Sequence, residues 1–220
     1  MSFLSYLING ISLGSIYAII ALGYTMVYGI ARMLNFAHGD IIMVGGFVIF
    51  TCVSTMGFPP LVGVLVAVIA CTVLGVMIER VAYKPLRGTS SLAVLITAIG
   101  VSYLLQNAAL LIFGSNARQF TSVVNVPSLK LAGGALSISG VTMVTILTCI
   151  IIMAGLMTFI NKTKIGQAML AVSEDTGAAT LMGIDVNRTI AVTFAIGSAL
   201  AAIAGALLCS TYPSLTPYTG

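Results

Sequence analysis

Long stretches without a charged residue constrain this sequence more than any other feature. No charged side chain occurs in residues 1–31, 41–78 or 88–117. Charged residues make up only 6% of the chain, against roughly 25% in soluble domains, so they could not cover a soluble fold. An α-helix of about 20 apolar residues crosses the hydrocarbon core of a bilayer. The sequence therefore predicts an all-α, polytopic helical protein of the lipid bilayer.

We predict about six transmembrane helices. Residues 41–78 are too long for one helix, and Gly57-Phe-Pro-Pro60 divides them, because proline ends a helix. Residues 114–137, which include Gly133-Gly134, are predicted to form an irregular loop. The predicted spans are 4–30, 41–56, 60–79, 91–113, 141–160 and 189–209.

Basic residues predict the orientation in the membrane. The loops at 31–40, 79–90 and 161–188 hold seven of the nine Lys and Arg residues, and 114–137 holds the other two. Because Lys and Arg concentrate in cytoplasmic loops, we predict a cytoplasmic 161–188 loop and a periplasmic N-terminus. The net charge of +4 is spread between apolar segments, which does not indicate nucleic-acid binding.

Small residues and cysteines indicate packing. Gly10 and Gly14 have the spacing that lets another helix approach closely, and Gly197, Ala201 and Gly205 form a stripe at every fourth position. The four cysteines lie in apolar runs without CxxC spacing, and we interpret them as small buried hydrophobic residues.

A short polar segment at 31–40 lies between two apolar runs and holds the only histidine, His38, with Asn35 and Asp40. One His and one Asp supply too few ligands for a metal, and no nucleophile motif is present for catalysis. Two interpretations stay open. Asn35 or Asp40 caps a helix in a tight turn, or the segment is a broken helix beside a solute path, with His38 among its polar groups.

Two amides lie inside the predicted span 91–113. Gln106 and Asn107 would cost free energy in hydrocarbon if unpaired. We therefore predict that both face the interior of the bundle, either as contacts between helices or as part of a solute path.

The loop 161–188 holds six of the fourteen charged residues and has a helical pattern. We predict a short helical element that ends at Gly183, as at a C′ glycine, and we expect Asp185 or Asn187 to cap the next membrane helix. Such an exposed, structured loop is expected to contact a partner; the alternative is a long solvated connector.

Two regions resemble the H-type permease subunit of bacterial branched-chain amino acid ABC importers. Residues 28–40, Tyr-Gly-Ile-Ala-Arg-Met-Leu-Asn-Phe-Ala-His-Gly-Asp, resemble the signature region of that family. Residues 166–188, with Ser-Glu-Asp at 173–175 and Ala-Thr-Leu-Met-Gly-Ile-Asp at 179–185, resemble its cytoplasmic coupling segment, and 194–205 resemble the helix that follows. The resemblance keeps the same order over essentially the whole chain.

The resemblance implies a single permease domain over 1–220 in the bacterial inner membrane, forming one half of a transmembrane pathway. A second, M-type permease, two cytoplasmic ATPase subunits and a periplasmic substrate-binding protein would complete the importer. The chain itself is not expected to be an enzyme or to carry a cofactor, since it has no phosphate-binding loop. The substrate path is predicted to include Asn35, His38, Asp40, Gln106 and Asn107.

In such importers a permease loop docks in a groove of the ATPase. Glu174 and Asp175 are predicted to offer carboxylates, and Met169, Val172 and Met182 apolar contact. The full predicted set is Gly166, Met169, Val172, Glu174, Asp175, Met182, Gly183 and Asp185. Two departures stand out: the family commonly has a basic residue at Leu170, and it continues beyond Gly220, so the chain is expected to be C-terminally truncated.

Other functions fit less well. A related permease for urea or short amides would share most of these features. An intramembrane enzyme would need paired ionisable residues within the spans, and a stand-alone channel or secondary transporter often has one at mid-membrane. We find no charged residue in the middle of a predicted span.

Overall fold

The computed structural model describes residues 2–124, 126–131 and 136–220, and Gly133 and Gly134 lie outside these ranges. Eight α-helices are described, and six of them are long and apolar enough to cross a membrane, which confirms the predicted all-α, polytopic fold. The helices are α1 Ser2–Ala31, α2 Ala37–Phe50, α3 Pro60–Ile78, α4 Ser91–Phe113, α5 Gly140–Lys162, α6 Lys164–Glu174, α7 Thr176–Leu181 and α8 Val186–Thr211.

The second and third spans differ from their predicted bounds. α2 begins at Ala37 rather than at residue 41 and continues through a π-helical turn at Thr51–Thr55. α3 starts with Pro60 in its first turn, where the missing N–H costs nothing. It then runs on through a π-helical turn at Glu79–Tyr83 and a 3-10 turn at Lys84–Leu86.

α8 and α2 form the centre of the bundle. Within the most apolar stretch of each span, 67% of α8 and 61% of α2 is buried, against 11% in α4 and α5. A second core cluster, with Ile16, Cys149 and Leu200 among its members, joins α1, α5 and α8. The outer helices therefore expose most of their apolar surface to lipid or to a partner.

Glycines allow the central helices to approach closely. A Cβ at Gly197 would lie 3.1 Å from the Gly23 carbonyl oxygen, and one at Gly205 would lie 2.7 Å from the Ile42 carbonyl oxygen. The predicted stripe on α8 is thus a packing surface. The Gly10 and Gly14 prediction is not realised within the described residues, since nothing lies within 4 Å of a Cβ at Gly10 or Gly14.

The interpretation of 114–137 as wholly irregular is wrong. β1 (Arg118–Gln119) pairs antiparallel with β4 (Ser214–Leu215), and β2 (Leu129–Leu131) pairs antiparallel with β3 (Leu136–Ile138). Strands of two or three residues are too short to show an alternating pattern, and the β1–β4 pair is distant in sequence.

The last residues fold back along α2. Leu215 is fully buried, and a Cβ at Gly46 would lie 2.9 Å from its Cδ1 atom. Gly220 packs against Gly39, where a Cβ would lie 2.6 Å from the Gly220 carbonyl carbon. Residues 212–220 therefore cover the face of α2 that carries Gly39 and Gly46.

Candidate functional site

A buried polar cluster occupies the start of α2. His38 and Asp40 are 2% and 3% exposed. A Cβ at Gly23 of α1 would lie 2.9 Å from the His38 Cε1 atom. Gly23 lies eight residues before the end of α1, which corresponds to about 12 Å along the helix. α2 therefore begins well inside the bundle, and residues 32–36 lead the chain back into it.

The non-helical segment is anchored by a tyrosine from the end of α3. Asn35 is 2% exposed, and the Tyr83 hydroxyl donates to its Oδ1 at 3.1 Å. Neither Asn35 nor Asp40 caps α2, whose N-cap residue, Phe36, also makes no side-chain cap. The capping interpretation is therefore wrong. The non-helical segment between α1 and α2 is held in place by contacts with neighbouring helices.

Asp40 joins α2 to α4. The Gln106 side-chain amide donates to Asp40 Oδ1 at 2.9 Å. Seven residues further along both helices, Phe47 and Phe113 stack with ring centroids 4.2 Å apart. The equal spacing shows two parallel helices in register, with a polar contact at one level and an aromatic contact at the next.

The prediction that both amides of α4 face the interior is wrong for Asn107. Asn107 is exposed and donates to the Tyr103 carbonyl oxygen of its own helix at 2.7 Å. Consecutive helical residues point about 100° apart, so Gln106 and Asn107 cannot share one narrow face. The structure brings together Asn35, His38, Asp40 and Gln106, and leaves Asn107 outside.

Two buried polar atoms of the cluster have no partner within the described residues, His38 Nε2 and Asp40 Oδ2. Buried polar atoms are nearly always hydrogen-bonded, and an orphaned one calls for an explanation such as a ligand. The cluster can offer an acceptor at Asp40. The first N–H groups of a helix lack helical partners, and among those of α2 the His38 N–H donates to the Asn35 carbonyl oxygen at 3.2 Å. In the described part of the chain, no three His, Cys, Asp or Glu side chains are placed to hold a metal.

A second set of polar contacts lies at the end of the bundle that carries residues 32–36, 84–90 and 163–185, which we call the basic end. The Arg87 guanidinium donates to the Glu79 carboxylate and to Asn187 Oδ1. Glu79 is 1% exposed. A buried carboxylate is costly unless paired, so this ion pair ties the end of α3 to the start of α8.

Local capping chemistry shapes the segment between α5 and α8. Thr163 accepts from Gly166 N and caps α6, and Asp185 accepts from Arg188 N at 3.0 Å and caps α8. Gly183 ends α7 with a φ of 81°, and the Ile184 N–H donates to Ala179 O. The predicted helix stop at Gly183 and cap at Asp185 are thus present.

The predicted single helical lever from Gly166 to Met182 is wrong, because Asp175 divides it. Its φ of −151° and ψ of 115° are extended, and its Oδ1 accepts from the N–H groups of Gly177 and Ala178. Asp175 therefore caps α7 instead of standing free, while Glu174 is exposed. α6 and α7 form a two-helix unit, which we call the α6–α7 unit.

Burial reassigns the apolar residues of this unit. Met169 and Val172 are each 1% exposed and belong to the main core, so the prediction that they contact a partner is wrong. The amphipathic pattern of α6 holds it on the bundle. Leu181 and Met182 are 90% and 82% exposed, and they carry the apolar surface that α7 presents to the outside.

Gly166 allows α6 to lie directly on the end of α5. A Cβ there would come within 2.4 Å of backbone atoms of Ile160 and Phe159. Backbone cannot yield to such a contact as a flexible side chain can. Gly166 is buried, so the structure gives it a packing role at the α5–α6 corner.

Arg32 links the two regions. It follows α1 with a φ of 55°, a conformation that non-glycine residues rarely adopt. Its guanidinium donates to the Ser173 carbonyl oxygen at 2.5 Å, near the end of α6, where carbonyl groups lack helical partners. The α6–α7 unit is therefore attached to the segment that leads into the polar cluster.

Sequence reasoning missed the roles of Tyr83, the Glu79–Arg87 pair and Arg32. The Tyr83–Asn35 and Arg32–Ser173 contacts join residues 48 and 141 positions apart, so no local pattern reveals them. Glu79 and Arg87 carried one usable signal, since a lone carboxylate beside a charge-free span needs a nearby cation.

Comparison with known proteins identifies the family. Residues 6–220 match the branched-chain amino acid transport system permease component. The high-affinity branched-chain amino acid transport system permease protein LivH of Salmonella typhimurium is 40% identical over 99% of this chain and 74% of its own length. BraD of Pseudomonas aeruginosa is 39% identical with the same coverage. The probable LivH of Methanocaldococcus jannaschii is 29% identical over 92% of this chain and 64% of its own length. No solved structure gives a significant match.

The family match and the 40% identical relatives show that the chain belongs to the family of branched-chain amino acid transport system permease components, and that it is a permease subunit of an ABC importer.

Proposed function

We propose that this permease moves branched-chain amino acids inward through a path beside the start of α2. The buried cluster carries the proposal, because two of its polar atoms have no partner in the part of the chain that the structure describes. An amino acid at neutral pH is a zwitterion. Asp40 can accept from its ammonium group. The remaining N–H groups in the first turn of α2, whose N-cap residue Phe36 makes no side-chain cap, can donate to its carboxylate. The relatives named above transport branched-chain amino acids, which supports this substrate class.

The α6–α7 unit is proposed to be the docking element for a cytoplasmic ATPase. Leu181 and Met182 offer exposed apolar contact, and Glu174 offers a carboxylate. Asp185, Asp175, Gly183 and Gly166 would act by holding the unit in shape. A push on α6 would pass through the Arg32–Ser173 contact to the segment that enters the polar cluster.

A second permease, two ATPase subunits and a periplasmic binding protein would complete the importer in the bacterial inner membrane. The exposed apolar faces of α4 and α5 leave room for such a permease partner. The basic end would face the cytoplasm, since the loops 31–40, 79–90 and 161–188 at this end hold seven of the nine Lys and Arg residues.

Transport of labelled solutes tests the proposed substrate. Deleting the gene should reduce uptake of labelled leucine, isoleucine and valine at low external concentration to background, and a plasmid copy should restore it. Urea and acetamide serve as comparison solutes. Unchanged leucine uptake together with reduced urea uptake would assign the permease to the amide-transporting class.

Thiol labelling tests the proposed orientation. Asn116 lies in the exposed loop between α4 and α5, and Thr176 begins α7. In a full-length protein without its buried native cysteines, Asn116→Cys should react with an impermeant maleimide added to intact cells. Thr176→Cys should react only after the membrane is opened. Labelling of Thr176→Cys in intact cells would contradict the orientation and the docking role of α7.

A further inference from the structure

A groove of about 480 Å³ opens at the basic end between the end of α3 and the start of α8. It lies apart from the polar cluster and from the exposed tip of α7. Its lining residues fall into a charged rim and an apolar wall. They are Val76, Glu79, Arg80, Lys84, Asp185, Asn187, Arg188, Ala191, Val192 and Ala195.

The rim of the groove is positively charged. Arg80, Lys84 and Arg188 are exposed, and among the described residues none of them makes a side-chain hydrogen bond or ion pair. The two carboxylates of the rim offset these cations only in part. Glu79 is paired with Arg87, whereas Asp185 accepts the Arg188 N–H as the cap of α8 and keeps its negative charge. Among the described residues, three cations without a side-chain partner thus face the groove with one carboxylate that has no cationic partner, and the balance stays positive.

The wall below the cations is apolar and continues into the span of α3. Val76, Ala191 and Val192 line it. Beside it, a row of aliphatic side chains is exposed at every fourth position along α3, namely Leu65, Ile69, Val73 and Met77, with exposures of 56%, 65%, 62% and 54%. A charged rim above an aliphatic row has the polarity of a single phospholipid.

We propose that this groove binds an anionic phospholipid. Its phosphate lies among Arg80, Lys84 and Arg188, and one acyl chain follows the exposed row of α3. Basic pockets between membrane helices on the cytoplasmic side suit anionic headgroups, and guanidinium groups bind phosphate with two hydrogen bonds. The site goes beyond the proposed transport path, because it would attach the end of α3 and the start of α8 to the membrane surface.

Native mass spectrometry of the full-length permease within the assembled importer tests the site. The probes are phosphatidylglycerol and phosphatidylcholine with identical acyl chains. Phosphatidylglycerol should be retained in preference to phosphatidylcholine. The double variant Arg80→Ala, Arg188→Ala should weaken its binding by roughly fivefold for each cation removed.

Two further variants separate the site from general charge. Arg80→Lys with Arg188→Lys keeps the cations and should retain most of the binding. Lys162→Ala with Lys164→Ala removes two cations at the same end but outside the groove, and should bind phosphatidylglycerol as the unaltered protein does.

Several results would overturn the proposal. Equal retention of phosphatidylcholine would show that the groove does not select for the lipid's negative charge. If the Lys162 and Lys164 control lost as much phosphatidylglycerol as the Arg80 and Arg188 variant, the effect would be one of general surface charge. Displacement by millimolar inorganic phosphate would indicate a free-anion site. Phosphatidylglycerol bound to the isolated permease but absent from the assembled importer would show that a protein partner covers the groove.

Discussion

Replacing Asp40 with alanine is expected to abolish most leucine uptake while the protein remains in the membrane. Asp40 is buried and accepts from Gln106 at 2.9 Å, and its second carboxylate oxygen has no hydrogen-bond partner among the described residues. Hydrogen bonds to a charged group contribute roughly 1.5–3 kcal/mol, which corresponds to about tenfold to hundredfold in uptake. The measurement is the initial rate of labelled leucine uptake, normalised to permease in the membrane fraction.

Two matched variants show whether charge or packing is responsible. Asp40→Asn keeps the side-chain shape and an oxygen acceptor for Gln106, so it should insert normally yet transport poorly. Thr72→Val removes a hydroxyl that, among the described residues, donates only to the Val68 carbonyl oxygen of its own helix, and it should transport normally. Normal leucine uptake by Asp40→Ala would contradict the proposal that the solute path passes beside the polar cluster.

Replacing Gly166 with alanine is expected to detach the ATPase. The added Cβ would meet backbone atoms of Ile160 and Phe159 at 2.4 Å, so α6 must move away from α5. Overpacking of this kind costs roughly 1–3 kcal/mol. The shift would displace α7 with its Leu181 and Met182 surface, and co-purification of the ATPase with the full-length permease should fall about tenfold.

Gly155→Ala is the matched control for this substitution. It lies on α5, and nothing is within 4 Å of a Cβ at that position. Gly155→Ala should leave both ATPase co-purification and leucine uptake unchanged. If Gly166→Ala also kept the ATPase at the normal level, the α6–α7 unit would not be the docking element.

Local chemistry explains what the sequence could predict. The charge-free runs marked six spans because burying a charge in lipid is costly wherever the segment lies. Gly183 and Asp185 were predictable because helix caps depend only on nearby residues. The start of α2 was placed too late because residues 37–40 include the polar His38 and Asp40. Contacts with neighbouring helices bury these two residues within the helix.

Partners that are distant in sequence explain the rest. The contact between Asp40 and Gln106, 66 positions apart, and the exposure of Asn107 show which amide of α4 faces inward. Met169 and Val172 have an amphipathic spacing that predicts a buried face, but the sequence does not say whether a partner or the chain itself covers it. The helix break at Asp175 was missed because an acidic residue can also lie within a solvated helix.

Leucine uptake and ATP hydrolysis, measured in the same proteoliposomes containing the assembled importer, test most directly the division of roles between the polar cluster and the α6–α7 unit. Asp40→Ala should lose uptake while hydrolysis stimulated by the binding protein persists, and Gly166→Ala should lose both. Loss of stimulated hydrolysis in Asp40→Ala, or full uptake by Gly166→Ala, would contradict this division.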